Sequence, residues 1–556
     1  MPRVKRTILR IAAVICFASL SGFARGDEKL APPAWTTDAR WYYVVVPRFH
    51  SGDSANDPNE TLPWTTTWLD GMDTSKPISL KALTPRRYGG DVQGIKQRLP
   101  YLKKLGVNTL SLASFFQGMT EGYGSGADLR HVDPRVAVKG GYSDTDKETS
   151  DPATWVWTGS DRVFLDLVKT AHEEGFRVVV TGFCGAFSDT DAKLGQMESY
   201  GQAVLHRWID PNADGDPSDG IDGLMHGVDE ASFGKLDSTD KAAWRRLREM
   251  GRKLNPNFVF IGSGAYAAGQ VAEGMFDLAM DSTAAVSIER FFHPAAVDVS
   301  GKNFLAELDR TFGAMRNDSR EASPVLMSLL DGARLLTRLS EADVVGPRTA
   351  PSAGPAPTAA AIDRWRLATI VQHLGMGTPL TFYGDEIGMS GGANAFARAP
   401  MWWDDLSEPA TKTTAYRNDF FALVEWLHAT RAKYPALQKG TFRPILQDDE
   451  QKLLAFARTL PGDEVIVVLN HGDTKQEVQV PAGRPDQLVA LMSPQVRPPP
   501  PSDAPKKKSP KQPADPKKLL VGGSRQFVNP QGNVSLWVDP MSARLIFVSD
   551  VEPRRK

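Results

Sequence analysis

Three acidic residues stand directly after predicted β-strands, where they could do chemistry. Asp229 and Glu230 follow the strand Asp222–His226, and Asp331 follows Val325–Leu330. Carboxyl groups held close together can serve as a general acid and as a base or nucleophile. Their spacing along the chain does not fix their separation in space. A second interpretation therefore stays open, and we favour it: Asp229 and Glu230 are solvated loop residues or ion-pair partners of Arg334.

A further acidic stretch, DPNADGDPSDG, lies at residues 210–220. It spaces Asp210, Asn212, Asp214 and Asp216 like the first half of an EF-hand loop. Ile221 stands where that motif requires a Glu. The sequence therefore favours a plain turn before the next strand, with Ca²⁺ binding as the alternative.

The elements that must position these residues alternate between short apolar runs and amphipathic segments such as Val92–Leu105, Arg162–Glu174 and Lys241–Leu254. Alternation of this kind is typical of repeated βα units. Eight such units predict an α/β fold, a (β/α)8 TIM barrel with its working face at the carboxyl ends of the strands. The predicted strands are Trp41–Val46, Thr109–Ala113, Arg177–Phe183, Asp222–His226, Phe258–Ser263, Asp277–Asp281, Val325–Leu330 and Leu380–Gly384.

The pattern changes near Pro435, after which β-type runs follow one another without helices between them. We therefore predict a barrel over 36–434, with a short loop excursion at 116–158. A C-terminal antiparallel β-sandwich is predicted over 435–552. A Pro/Lys-rich insert at 497–518 interrupts the sandwich, and its composition predicts a solvated, disordered segment.

Charge and targeting signals limit the location and the partners. The 556 residues carry 65 Lys+Arg and 66 Asp+Glu, so no basic excess points to nucleic acid. Basic residues followed by the apolar run Ile11–Phe23 predict a signal peptide at 1–24, with an uncleaved anchor as the alternative. Cleavage would leave Cys184 as the only thiol and no membrane segment. We expect a periplasmic or secreted protein of unknown oligomeric state.

Five segments in order resemble the α-amylase family, glycoside hydrolase family 13, nearest its neopullulanase and cyclomaltodextrinase branch. They extend from Val44 to Gly392 and so cover the predicted barrel. The segments are VVVPRFHSGDSANDP, YGGDVQGIKQRLPYLKKLGVNTLSLASFF, EGFRVVVTGF, DPNADGDPSDGIDG and GMGTPLTFYGDEIGMSGG.

The resemblance implies a catalytic centre whose three carboxylic residues this sequence replaces. The family's nucleophilic Asp falls on Gly227, its general-acid Glu on Ser263 and its stabilising Asp on Arg334. The arginine before the nucleophile falls on Met225. No covalent sugar intermediate can form on glycine, and a serine hydroxyl is too weak an acid. The ordinary chemistry of the family is therefore expected to be absent.

The resemblance also implies a structural Ca²⁺, held by a loop after the first strand and by a later Gly-Gly-Asp. Ser51 replaces one of the family's ligands, and a polar turn without metal is the alternative. The residues that match the other ligands are Asp53, Asn56, Asp57, the Gly89 carbonyl and Asp91.

Aromatic residues near the predicted working face are candidates for sugar binding. Tyr123 matches a sugar-stacking tyrosine of the family, while Trp155, Trp157 and Trp402 lie in rim loops. Their faces can cover the apolar side of a pyranose ring. The alternative is that one Trp of each pair, Trp155/Trp157 and Trp402/Trp403, only packs under its loop.

Three functions stay open, because a fold alone does not select one. The favoured hypothesis is an exported, catalytically inactive homologue that binds an α-glucan or oligosaccharide. The second is an active hydrolase or transferase that uses relocated carboxylates, drawn from Asp229, Glu230 and Asp331. The third is a barrel that serves as a protein-interaction scaffold.

Overall fold

The computed structural model describes most of the chain outside its amino terminus and several loops. The predicted signal segment 1–24, the insert 497–518, Tyr123, Asp229, Glu230 and Asp331 lie outside the described residues. The described ranges are 31–66, 68–73, 80–83, 85–113, 115–117, 128–140, 145–181, 194–227, 238–264, 267–295, 299–328, 332–340, 357–403, 418–494 and 523–549.

Eight parallel strands form the predicted barrel. Their order in the sheet is β6-β5-β4-β3-β2-β1-β8-β7 when they are numbered along the chain. The two end strands meet where the Ala279 N–H donates to Ser323 Oγ at 3.1 Å, so the sheet is nearly closed. The strands β1 to β8 are Trp41–Val45, Thr109–Ala113, Arg177–Thr181, Gly223–Gly227, Val259–Ser263, Leu278–Met280, Pro324–Leu326 and Thr378–Phe382.

Helices follow the strands and are started by polar side chains. Asp91 accepts the Gly94 N–H at the start of Val92–Leu105, and Thr158 and Asp161 cap each other's backbone N–H groups at the start of Gly159–Glu173. No helix within the described ranges is long and apolar enough to cross a membrane. The α-helices are Leu80–Leu83, Val92–Leu105, Gly159–Glu173, Leu194–Ile209, Ser238–Leu254, Ala267–Ala272, Ser282–Phe292, Gly301–Gly313, Asn317–Arg320, Leu335–Ser340, Ala359–Leu374, Asn418–Lys433 and Pro435–Lys439.

The C-terminal strands pair antiparallel, as predicted. They form a six-stranded sheet in the order β9-β10-β11-β16-β13-β14 and a two-stranded sheet of β12 and β15. Alternate side chains of the large sheet, among them Ile466 and Ile546, pack against Val478 and Val534 of the small sheet. The strands β9 to β16 are Thr441–Asp448, Leu453–Leu460, Asp463–Asn470, Gln476–Pro481, Leu488–Met492, Ser524–Phe527, Asn533–Val538 and Ser542–Ser549.

The other face of the large sheet packs on the barrel helices. Phe547 of β16 stacks on Tyr434 at 4.3 Å between ring centroids. Arg458 of β10 is fully buried and donates to the Gly375 and Gly440 carbonyls and to Glu321. The hydrogen bonds of Arg458 therefore join the sandwich to the barrel, in addition to apolar contacts.

A buried histidine holds the loop excursion against the barrel. His131 belongs to the strand Asp128–Val132, which pairs antiparallel with Phe116–Gln117. Its Nδ1 lies 2.9 Å from Asp161 Oδ2 and its Nε2 lies 3.0 Å from Glu148 Oε2. Because both ring nitrogens face carboxylates, only the doubly protonated ring can donate to both. Burial opposes that charge, but the hydrogen bonds and charges of Asp161 and Glu148 outweigh it and raise the pKa of His131.

This arrangement predicts a stability that falls as the pH rises. A raised pKa in the folded state stabilises the protein fully below the unfolded value of about 6.5 and no longer does so above the folded value. The cost of His131→Gln should therefore be largest near about pH 6 and shrink toward about pH 9. Urea unfolding across this range measures it. The exposed His206→Gln is the control, and an equal cost of His131→Gln at all pH values would contradict the prediction.

Candidate functional site

The carboxyl edge of the barrel brings together two of the positions predicted to have lost their carboxylates. Gly227 at the end of β4 is the register partner of Ser263 at the end of β5. Ser263 is in turn the partner of Met280 at the end of β6. Adjacent parallel strands lie about 4.8 Å apart, so these three residues form one continuous stretch of the rim. It contains a glycine, a hydroxyl and a thioether, and no ionisable side chain.

Two residues below this rim, toward the amino ends of the strands, the same part of the barrel carries uncharged side chains. Met225 pairs in register with Thr181 of β3 and with Ile261 of β5. Met225 is fully buried, and the Thr181 hydroxyl lies 3.2 Å from Ser111 Oγ. Met225 occupies the position at which the family resemblance expects an arginine. The described positions Met225, Thr181 and Ile261 therefore offer no cation to a bound sugar.

Arg334 is enclosed by protein, although it falls on the position of a sugar-facing carboxylate. Its side chain has no solvent exposure. The guanidinium donates to the Ala397 carbonyl at 2.9 Å and to the Tyr383 carbonyl at 2.8 Å. It also pairs with Asp385 Oδ1 at 2.9 Å and lies 4.8 Å from the centre of the Phe382 ring. The ion-pair partner of Arg334 is therefore Asp385. From the sequence, only Asp229 and Glu230 were candidate partners.

The described carboxylates near the ends of β6 and β8 are held by structural partners. Asp281 accepts the Thr283 N–H and so starts the helix Ser282–Phe292. Asp385 pairs with Arg334 and accepts from Ser328, while burial raises its pKa. Glu386 Oε1 accepts from two tyrosine hydroxyls at 2.8 and 2.7 Å, and burial raises its pKa to about 7. Asp385 and Glu386 are therefore held as framework residues.

The described tryptophans predicted to bind sugar are all partly buried. The Arg207 guanidinium covers the Trp157 ring at 3.6 Å, so this residue packs under its loop. Trp155 donates through Nε1 to the Thr149 carbonyl and leaves part of its surface exposed. Trp403 is buried, whereas its neighbour Trp402 is partly exposed. Trp402 and Trp155 are therefore better placed to meet a ligand than Trp157.

The predicted calcium loop keeps two oxygens without partners. Asp91 uses both carboxylate oxygens to accept N–H groups, including the Asn56 side-chain amide at 2.9 Å. Asn56 Oδ1 and Asp57 Oδ1 are buried and have no hydrogen-bond partner. Gly89 has φ +72°, and a Cβ there would lie 2.0 Å from Asp57 Oδ1, so only glycine lets this carboxylate approach. Burial and the charge of Asp53 raise the pKa of Asp57. The donor set fits a hard cation.

Comparisons with known proteins agree with this architecture. No family model matches the sequence. A cyclomaltodextrinase from a Bacillus species is 26% identical over 483 residues, which cover 81% of this chain and 75% of the relative. Neopullulanase 2 from Thermoactinomyces vulgaris is 26% identical over 497 residues, which cover 82% and 73%. The chain is a homologue of proteins named cyclomaltodextrinase and neopullulanase. A solved α-amylase from Anoxybacillus shares the fold, with a TM-score of 0.64 at 17% identity over 93% of this chain and 99% of that structure.

The Arg334–Asp385 pair predicts a large stability effect at a position where family members would carry a catalytic acid. Arg334→Met should destabilise the protein by about 3–5 kcal/mol, because it leaves a buried carboxylate without its cation. Removing both charges, in Arg334→Met with Asp385→Asn, should recover part of that loss. Urea unfolding measures both variants. Arg443→Met breaks an exposed pair with Glu464 and should cost less than about 1 kcal/mol. Equal costs for the two arginines would contradict this account.

Proposed function

We propose that the protein binds an α-glucan or oligosaccharide at the carboxyl edge of its barrel and does not cleave it by the chemistry of its relatives. The observation that carries the proposal is the register that makes Gly227 and Ser263 neighbours on that edge. In the frame set by the family resemblance, these are the nucleophile and general-acid positions. Homology to proteins named cyclomaltodextrinase and neopullulanase supports the α-glucan class.

The expected lack of cleavage follows from the side chains at these positions. Retaining cleavage of a glycosidic bond needs one carboxylate that forms the glycosyl-enzyme and one acid that protonates the leaving oxygen. Gly227 has no side chain, and the Ser263 hydroxyl does not release a proton near neutral pH. Arg334 carries a positive charge, which would disfavour rather than stabilise a developing oxocarbenium ion. All three roles would have to be taken by other residues.

The described acids near the ends of β6 and β8 are poor substitutes. Asp281 starts a helix, Asp385 is bound to Arg334, and Glu386 accepts from the buried Tyr42 and from Tyr101. Moving any of them toward a substrate would break these contacts. The candidates for relocated chemistry stay those predicted from the sequence, Asp229, Glu230 and Asp331, which lie outside the described residues.

An active hydrolase or transferase is the second candidate function. The names of the relatives favour it, since cyclomaltodextrinase and neopullulanase are enzyme names. It requires two carboxyl groups about 5–5.5 Å apart for retention or about 6.5–9.5 Å apart for inversion. A scaffold without sugar binding is the third candidate. Export to the periplasm or medium stays part of our proposal, although one relative from Bacillus subtilis is named an intracellular maltogenic amylase.

We expect binding of maltoheptaose without new products. Isothermal titration calorimetry of the full chain measures binding, and chromatography of the same samples detects hydrolysis or transfer. Trp402→Ala should weaken binding at least about tenfold if its exposed surface stacks on a pyranose ring. Trp157→Ala is the contrasting variant, because its ring is already covered by Arg207.

The three functions give different outcomes in this experiment. Products that disappear in Glu230→Gln, Asp229→Asn or Asp331→Asn would establish relocated catalysis and contradict our proposal. Neither binding nor products, with maltoheptaose and β-cyclodextrin alike, would contradict sugar binding and favour the scaffold.

We also propose that Asp53, Asn56, Asp57 and the Gly89 carbonyl hold a structural Ca²⁺, with Asp91 orienting Asn56. The ion would neutralise the two neighbouring carboxylates and bind the unpaired oxygens of Asn56 and Asp57. Ca²⁺ should therefore raise the melting temperature relative to EDTA. Asp57→Asn should reduce that rise, whereas the exposed Asp473→Asn should leave it unchanged. The same rise in Asp57→Asn as in the unsubstituted protein would contradict this assignment.

A further inference from the structure

The loop before β4 concentrates negative charge. Four carboxylates lie within ten residues, between the helix Leu194–Ile209 and the strand Gly223–Gly227. None of the four has an ion pair with a basic side chain of the described part of the chain. The four residues are Asp210, Asp214, Asp216 and Asp219.

The backbone of this loop curls around its own acidic side chains. The Gly215 N–H donates to Asp210 Oδ2 at 3.1 Å, and the Asp214 N–H donates to Asn212 Oδ1 at 2.9 Å. Ala213 and Gly215 have φ +57° and +85°, a left-handed conformation that glycine adopts without strain and alanine does not. These contacts by themselves describe only a turn, as the sequence favoured.

Two buried oxygens are not explained by a turn. Asp210 is 6% exposed, and its Oδ1 is buried without a hydrogen-bond partner. Asp219 Oδ1 is likewise buried and without a partner. Leaving a buried acceptor unsatisfied is unfavourable, and more so when it is charged. Burial raises the pKa of Asp219, and the charges of Asp210, Asp214 and Asp216 raise it further.

We propose that this loop binds a second calcium ion, separate from the one assigned to the Asp53–Asp57 loop. Asp210 Oδ1 and Asp219 Oδ1 are the carboxylate ligands, and amide and carbonyl oxygens of the loop complete the set. No three His, Cys, Asp or Glu side chains in the described ranges form a ready-made metal cluster, which disfavours a transition metal. Ca²⁺ tolerates a flexible set of six to eight oxygens that includes carbonyls.

The position of the loop indicates a structural role. It leads into the amino end of β4, whereas sugar chemistry in barrels takes place at the carboxyl ends of the strands. Just after the loop, Asp222 accepts the Val178 N–H at 2.8 Å and pairs with Arg177 at 2.7 Å. An ion at Asp210 and Asp219 would therefore fix the start of β4 against β3.

The test uses the full chain carrying Asp57→Asn, so that the first calcium loop does not dominate the signal. Titration with CaCl₂ alone should still show one bound ion. Adding Asp219→Asn should weaken that binding at least about tenfold, because one of two carboxylate ligands is lost. Adding the exposed Asp473→Asn instead should leave it unchanged. No binding in Asp57→Asn, or equal binding in the two double variants, would overturn the proposal.

A second measurement does not depend on the folding of Asp219→Asn. In Asp57→Asn, Ca²⁺ should slow amide hydrogen exchange of the peptide that contains residues 210–219, measured by mass spectrometry. The peptide that contains Asp473 serves as the reference. Unchanged exchange of residues 210–219 at saturating Ca²⁺ would overturn the proposal as well.

Discussion

The buried Arg334 guanidinium is the charge that holds together the segments after β7 and β8. It joins the carbonyls of Tyr383 and Ala397 to the carboxylate of Asp385, and so it ties the segment after β7 to the loop after β8. A buried cation must keep such partners, because its desolvation costs several kcal/mol. The loop after β8 and the segment after β7 are therefore arranged around the Arg334 guanidinium. An acid introduced at position 334 would meet Asp385 instead of a sugar.

The fold was predictable because it depends on repeated local patterns. Val92–Leu105 and Thr109–Ala113 have the predicted bounds, since an amphipathic run and an apolar run each end at a clear break. Strand ends near the rim were less accurate. The seventh strand was predicted as Val325–Leu330 and is Pro324–Leu326, because Ser328 bonds to Asp385 instead of extending the strand. Asp222, predicted as a strand residue, precedes β4 and is held by Arg177.

The features that could not be predicted from the sequence depend on contacts between residues that are far apart in the chain. From the sequence alone, Trp157 is a plausible residue for stacking on a sugar. In the folded chain, the guanidinium of Arg207, fifty residues further along the sequence, covers its ring. The His131 network was not predicted at all, although the spacing of Thr158 and Asp161 was a readable capping signal. His131 itself carries no local pattern, because its acidic partners come from two other segments. Sequence spacing predicts neighbours on one element, but pairing across elements depends on the completed fold.

The names of the relatives favour an active enzyme, whereas the side chains at the expected catalytic positions do not support the family's chemistry. The relatives are named cyclomaltodextrinase and neopullulanase, and this chain has an eight-stranded parallel barrel. A fold can persist when its catalytic groups are lost, since packing and chemistry depend on different residues. Here the apolar strands and capping residues build the barrel, while Gly227, Ser263 and Arg334 stand where the family resemblance expects the catalytic carboxylates.

Intact-protein mass spectrometry after incubation with a 5-fluoro-α-glucosyl fluoride tests the central claim most directly. This reagent leaves a long-lived glycosyl-enzyme wherever a carboxylate acts as the nucleophile of a retaining glycosidase. We expect an unchanged mass even at saturating reagent, because Gly227 stands where the family resemblance expects the nucleophile. A mass increase by one fluoroglucosyl group, mapped to Asp229, Glu230, Asp331 or any other acid, would contradict it.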